Sequence, residues 1–103
     1  MDKRTRVLNA MNKKEVDHVP VGFWFHFGGE EAVGDACVQA HLKYYRETDL
    51  DFVKIMCDNY FPYPLPKIEK AEDWMTLEPL TADHPFIREQ VERAKAIVDD
   101  IGK

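Results

Sequence analysis

The chain has 103 residues, with 14 Lys and Arg against 19 Asp and Glu, for a formal net charge of −5. Charges of both signs are interspersed and form no basic stripe, which argues against nucleic acid or an anionic membrane as a partner. Hydrophobic residues make up 45% and aromatic residues 12% of the chain, a composition that supports a packed core and excludes disorder. No apolar run reaches the roughly 18 residues of a membrane span.

The start of the chain and its cysteines predict a cytoplasmic protein. Residues 7–11 are too short and too interrupted to be the apolar region of a signal peptide. Cys37 and Cys57 lie outside any CxxC or zinc-site spacing, so two reduced thiols are expected. Neither a metal nor a cofactor is predicted.

The first elements are a helix over residues 3–13 and a strand over residues 21–27. The helix has apolar side chains on one side. Pro20 favours the β conformation in the residue before it, and the following strand contains no Asp, Glu, Lys or Arg. Such a strand is typical of a parallel sheet that is covered on both faces.

Alternation along this strand separates its aromatic side chains into two sets. Trp24 and His26 share one face, and Phe23, Phe25 and Phe27 share the other. One face should line the interior of the fold and the other should meet helices. These aromatic residues are interpreted as core in preference to a cofactor site.

A glycine turn, a second helix and a second strand follow. Gly28 and Gly29 permit positive φ between strand and helix. A helix over about 30–46 is predicted from apolar spacings of four, three and four, at Val33, Cys37, Ala40 and Tyr44. Residues 51–56 form the second strand. The order strand, helix, strand predicts one right-handed βαβ unit and an α/β fold class with two parallel strands.

The remainder of the chain is predicted to contain a rigid loop and two further helices. Alternate prolines at 62, 64 and 66 remove backbone donors and fix φ, which predicts an extended, rigid loop. A short helix is predicted near residues 70–76. A longer one over about 85–101 begins at Pro85 and has an apolar stripe of Ile87, Val91, Ala94, Val98 and Ile101.

Candidate functional residues follow the two predicted strands, because α/β proteins place their chemistry at the carboxyl ends of strands. Asp58 and His26 are the candidate catalytic residues, and Trp24, Asn59 and Tyr60 are candidates for substrate binding. The alternatives are a turn-capping role for Asp58, a hydrogen-bonded core role for His26, and a packed surface loop for Asn59 and Tyr60.

Several segments together resemble the N-terminal portion of the uroporphyrinogen decarboxylase family, which includes related corrinoid-linked methyltransferases. The resemblance covers nearly the whole chain, and its motifs are Arg6 to Asn12, Val16 to Val21, the aromatic strand, Asp51 to Asp58, and Glu72-Asp73-Trp74. It implies that residues 1–103 form a single partial domain, the start of a (β/α)8 TIM barrel. It also implies that Asp58 contacts the pyrrole nitrogens of a porphyrinogen, because a carboxylate accepts hydrogen bonds from several N–H donors.

One departure from the family concerns substrate binding. The decarboxylases have an arginine-containing motif after the first strand, and its guanidinium groups bind substrate carboxylates. Phe25 and Gly29 stand in those two positions here. This departure favours a divergent member or a methyltransferase-like member with another small-molecule substrate, and the methyltransferases' zinc ligands belong to later strands.

Two functional hypotheses follow. The first is a uroporphyrinogen decarboxylase-like or methyltransferase-like fragment that is inactive as an isolated chain, because a barrel of this kind needs about 250 residues. The second is a non-catalytic small α/β unit that covers its exposed strands by homo-oligomerisation or against a chain that completes the barrel.

Overall fold

The computed structural model describes residues 1–56 and 64–102, and the regular structure within them is helical. The helices are α1 (Lys3–Met11), α2 (Gly34–Thr48) and α3 (Pro85–Ile101), with short 3-10 turns at Gly29–Ala32 and Ala71–Thr76. These elements lie close to the predicted helices.

The helix ends have local causes that can be read from the sequence. The Asp2 side chain accepts a hydrogen bond from the backbone N–H of Thr5 and so caps the start of α1. The His84 side chain accepts one from the backbone N–H of Phe86, and Pro85 occupies the first position of α3 as predicted. Each cap satisfies a backbone donor that has no partner within its own helix.

The predicted α/β class is wrong, because residues 1–56 and 64–102 contain no β-strand. The predicted strands at 21–27 and 51–56 are irregular chain. In the described part of the protein, one backbone hydrogen bond joins them, from the N–H of Asp51 to the carbonyl of Val21 at 2.9 Å. A two-stranded ladder of a TIM barrel is therefore absent here.

Side chains occupy two of the backbone donors in these segments. The N–H of Val21 donates to the Asp51 carboxylate at 2.8 Å, and the N–H of Met56 donates to the ring of His41 at 2.8 Å. An N–H that bonds to a side chain is not available to a neighbouring strand. The two segments thus lie side by side without forming a sheet.

The core is small and lies between α2 and α3. Ile97 is fully buried against Val38 and Leu42, and partly buried apolar side chains pack around them at Val53, Ile55 and Ile101. An ion pair between Arg46 and Asp100, with 2.7 Å between nitrogen and oxygen, joins the same two helices near their carboxyl ends.

The apolar stripe predicted for α3 is only partly right, since Ile101 packs against the core as predicted but the buried face is shifted along the rest of the helix. Val91 and Val98 belong to the predicted stripe, yet they are exposed, whereas Arg93 and Ile97 are buried. The face that packs on α2 is rotated by about one residue, or roughly 100°. The stripe predicted for α2 is partly right, since Cys37 is buried and Val33 is exposed.

Candidate functional site

The segment 21–27, called here the aromatic segment, exposes three successive aromatic side chains. The exposed fractions are 63% for Phe23, 56% for Trp24 and 55% for Phe25, whereas Phe27 is buried. The prediction that this aromatic stripe forms core is therefore wrong for all but its last member. Most of the segment lies outside the α2–α3 core.

Contacts with α2 hold the carboxyl end of the aromatic segment in place. The ring of Phe27 lies 4.6 Å from the ring of His41 and 6.2 Å from that of Tyr44, measured between centroids. Phe25 lies 5.7 Å from Tyr44. Spacings in this range are those of favourable ring pairs. One side of the aromatic segment thus rests on α2, while Phe23, Trp24 and Phe25 remain more than half exposed.

A second row of contacts joins the aromatic segment to residues 51–56. The Lys54 ammonium lies 4.1 Å from the centroid of the Trp24 ring, in a cation–π contact. Gly22 lies so close to Phe52 that a Cβ on it would stand 2.2 Å from that ring. Together with the Val21 to Asp51 hydrogen bond, these contacts show that the two segments run in the same direction.

His41, on α2, attaches the end of the 51–56 segment to the helix. The ring is 1% exposed. Its Nδ1 lies 2.7 Å from the Cys37 carbonyl, and its Nε2 accepts the N–H of Met56 at 2.8 Å. The carbonyl can only accept, so Nδ1 must donate and the ring is the neutral Nδ1–H tautomer. A protonated ring could not accept from Met56.

Arg6, Asp17 and Asp51 form an ionic cluster, called here the clamp, at the other end of the two segments. The Arg6 guanidinium donates to both oxygens of Asp17, at 2.7 and 2.9 Å, and to Asp51 through Nη1. The His18 ring lies 3.4 Å from Asp17 and 3.7 Å from Asp51. A forked guanidinium suits such a bidentate arrangement.

Hydrogen bonds within the clamp shift the pKa values of its members. The Arg6 guanidinium holds the pKa of Asp17 well below its usual range. The backbone N–H of Val21, followed by Arg6, lowers the pKa of Asp51. Asp17 raises the pKa of Arg6 further above its already high ordinary value. All three groups are therefore charged near neutral pH, and the clamp joins α1 to the starts of both segments.

Acid should remove the stabilisation that the clamp provides. Because the pKa of Asp17 is lower in the folded protein than in the unfolded chain, its contribution is complete above about pH 4 and is lost as the pH falls further. We expect Asp17→Asn to lower the urea midpoint at neutral pH, with the difference from wild type shrinking below about pH 4.

A pH series of urea unfolding curves, followed by circular dichroism, measures this difference. Asp99→Asn, at an exposed position near the end of α3, is the matched control and should follow wild type throughout. A deficit in Asp17→Asn that stays constant down to strongly acidic pH would contradict the assigned role.

The structure separates the predicted site residues into two groups. Asp58, Asn59 and Tyr60 lie outside the described residues. Trp24 and His26 are both exposed on the aromatic segment, and Trp24 contacts Lys54 rather than an enclosed pocket. His26 is thus not the buried core histidine of the alternative interpretation.

Sequence reasoning missed the buried polar residues of this region. His41 lies one helical turn after Cys37, so its place on the buried side of α2 follows from the same spacing that predicted a buried Cys37. Arg6 and Asp17 lie within the motifs of the family resemblance, but no local pattern indicates that they bind each other. Both are structural attachments in this fold.

Across the described ranges 1–56 and 64–102, no group of three or more His, Cys, Asp or Glu side chains is placed to hold a metal ion. In the same ranges, no helix combines the length and apolarity needed to cross a membrane. Comparison with known proteins finds no matching family model, no matching curated protein and no matching solved structure. The local geometry is therefore the basis for functional inference.

Proposed function

We propose that this chain is a non-catalytic assembly unit that associates with a second copy of itself through the aromatic segment. The observation that supports this proposal is the run of three adjacent, more than half-exposed aromatic side chains at Phe23, Trp24 and Phe25. Exposed apolar patches of this kind mark interaction surfaces in soluble proteins. Aromatic side chains are also enriched at the centres of interfaces.

Charge favours a second copy as the occupant of this surface. Each chain has a net charge of −5, so two copies repel each other overall, and the repulsion at the contact is smallest where the approaching surfaces carry few charges. The aromatic segment contains no Asp, Glu, Lys or Arg. Two-fold symmetry would place the same aromatic side chains on both sides of the contact, and buried aromatic side chains contribute about 150–250 Å² each when fully covered.

The oligomeric state of purified protein tests this proposal. We expect sedimentation equilibrium at moderate salt to give twice the 12.0 kDa chain mass. At the same moderate salt, Phe23→Glu should give a monomer, because it places two like charges in the contact. Met75→Glu is the matched control, since Met75 is an exposed apolar residue outside the aromatic segment; it should remain a dimer. A monomeric wild type, or a Phe23→Glu dimer of unchanged affinity, would refute the proposal.

Kinship with the uroporphyrinogen decarboxylase family is a second proposal, and the clamp favours it. Arg6, Asp17 and Asp51 come from three separate motifs of the resemblance, yet they are joined in one ionic cluster. The proposal is a divergent decarboxylase-like or methyltransferase-like chain without catalysis of its own. The buried thiol of Cys37 is compatible with the reducing cytoplasm that forms part of this proposal.

Two assays test the absence of catalysis. Purified chain is incubated with uroporphyrinogen, and separately with a methylated corrinoid and a thiol acceptor. We expect no carboxyl loss and no methyl transfer above the rates without protein. Turnover that Asp58→Ala abolishes would contradict the inactive assignment and would support a catalytic role for that carboxylate.

A further inference from the structure

Charge is distributed unevenly along the chain. Residues 1–14 contain five Lys and Arg and a single Asp, whereas the whole chain has a net charge of −5. The N-terminal region is therefore positively charged, and the rest of the chain is acidic. Such asymmetry indicates that the basic part can bind an acidic surface.

Helix α1 presents exposed apolar side chains together with this positive charge. Arg4, Leu8 and Met11 are spaced by four and three residues, so they share one face of α1. All three are exposed, and Met11 is 75% exposed. Lys13 and Lys14, directly after the helix, are exposed as well. The clamp uses Arg6 on another side of the helix, so this basic and apolar face is open.

An acidic groove lies between the amino-terminal halves of α2 and α3, with a volume of about 730 Å³. Apolar side chains line it at Val33, Val38, Phe86 and Ala96, and carboxylates border it at Asp35, Glu89 and Glu92. Arg93 also lines the groove, and its Nη1 lies 3.5 Å from the Ala32 carbonyl. Apolar walls with an acidic border complement an apolar helix that carries cations.

We propose that α1 of one copy binds in the α2–α3 groove of a second copy. Leu8 and Met11 contact the apolar walls, and Arg4 and Lys14 approach the bordering carboxylates. This inference goes beyond the proposed function, since it uses neither the aromatic segment nor the dimer contact. The two surfaces of the contact differ, so it is heterologous and links copies into larger assemblies.

Salt separates this contact from the aromatic one. Attraction between exposed charges weakens as ionic strength rises, with a screening length of about 30 Å at 0.01 M and about 3 Å at 1 M. Apolar association does not weaken in this way. We therefore expect assemblies larger than a dimer at low salt and a return to the dimer at high salt.

Charge reversal on each side tests the pairing. Measurements use the Phe23→Glu background, so the outcome is independent of the aromatic contact. In that background we expect self-association that weakens as salt is added. The affinity of this self-association should be at least tenfold weaker in Arg4→Glu/Lys14→Glu and in Glu89→Lys/Glu92→Lys. An equimolar mixture of the two reversed proteins should associate again, since the basic groove of one meets the acidic helix of the other. Sedimentation velocity gives the masses.

A control variant has the same change in net charge as the groove variant Glu89→Lys/Glu92→Lys. Glu47→Lys/Glu72→Lys alters two exposed carboxylates outside the groove and should self-associate like its parent. The proposal is overturned if the Phe23→Glu protein stays monomeric at low salt, if its association is insensitive to salt, or if the control pair weakens association as much as the groove pair. Failure to recover association in the mixture would also overturn it.

Discussion

Ile97→Ala is expected to lower the free energy of unfolding by about 2–5 kcal/mol, the range for removing a large aliphatic side chain from a packed site. Ile97 is 0% exposed and packs against Val38 and Leu42 in the cluster of buried apolar side chains between α2 and α3. With so small a core, few other contacts can compensate for the lost packing.

Urea unfolding at fixed protein concentration measures this loss. Val98→Ala is the matched control, because Val98 is the next residue of α3 and is 58% exposed; its effect should stay within about 0.5 kcal/mol. A larger loss from Val98→Ala than from Ile97→Ala would mean that α3 packs through the face predicted from its apolar stripe. The assigned phase of the helix would then be wrong.

His41→Leu is expected to cost about 1–3 kcal/mol, the range for leaving a buried polar group without its hydrogen bond. Leucine fills much of the same space, but it cannot accept the N–H of Met56. The ring of Phe27 would also lose its contact with the His41 ring, while its contact with Tyr44 would remain. The loss should be concentrated where the 51–56 segment meets α2.

Hydrogen exchange gives the residue-level test of His41. The amide of Met56 should exchange much faster in His41→Leu than in wild type under native conditions, because its acceptor is gone. Lys43→Leu, at an exposed position on the same helix, should leave that amide unchanged. Unaltered protection of Met56 in His41→Leu would show that the hydrogen bond to the ring does not hold this segment.

The helices could be predicted from sequence because their signals are local. Two such signals are Pro85 at the first position of α3 and the glycines before α2. Each affects only the residues close to it in sequence. The phase of α3 was harder, since Val91 and Val98 are as apolar as a core residue and only the position of α2 determines which side of α3 is buried. Hydrophobic spacing predicts that a helix exists more reliably than which face it buries.

The strands were predicted from residue type, and the structure differs because side chains replace the backbone partners. Residues 21–27 are rich in aromatic residues and favour strands, yet a strand needs a neighbouring backbone to accept its N–H groups. Asp51 takes the N–H of Val21, an interaction across 30 residues that no local pattern predicts. The clamp is similarly distant, since Arg6 and Asp51 are 45 residues apart.

Of the candidate site, sequence reasoning located the exposed aromatic segment but interpreted it as core. Trp24 and His26 were identified as candidates, and both are accessible. Asp58 stays a prediction, since it falls outside the described residues. Residues 1–56 and 64–102 contain no sheet, which removes the argument that placed these residues around a common cavity.

The clamp also affects the order of events during refolding. Arg6 contacts Asp51 across 45 residues, and Arg46 contacts Asp100 across 54 residues. The chain between the partners must therefore close into a long loop before either contact can form. Closing such loops costs conformational entropy that local helix formation does not. We therefore expect nascent helical turns in α2, which the Arg6–Asp51 loop encloses, to form before these long-range contacts, and the ionic cluster to form late, on an already collapsed chain.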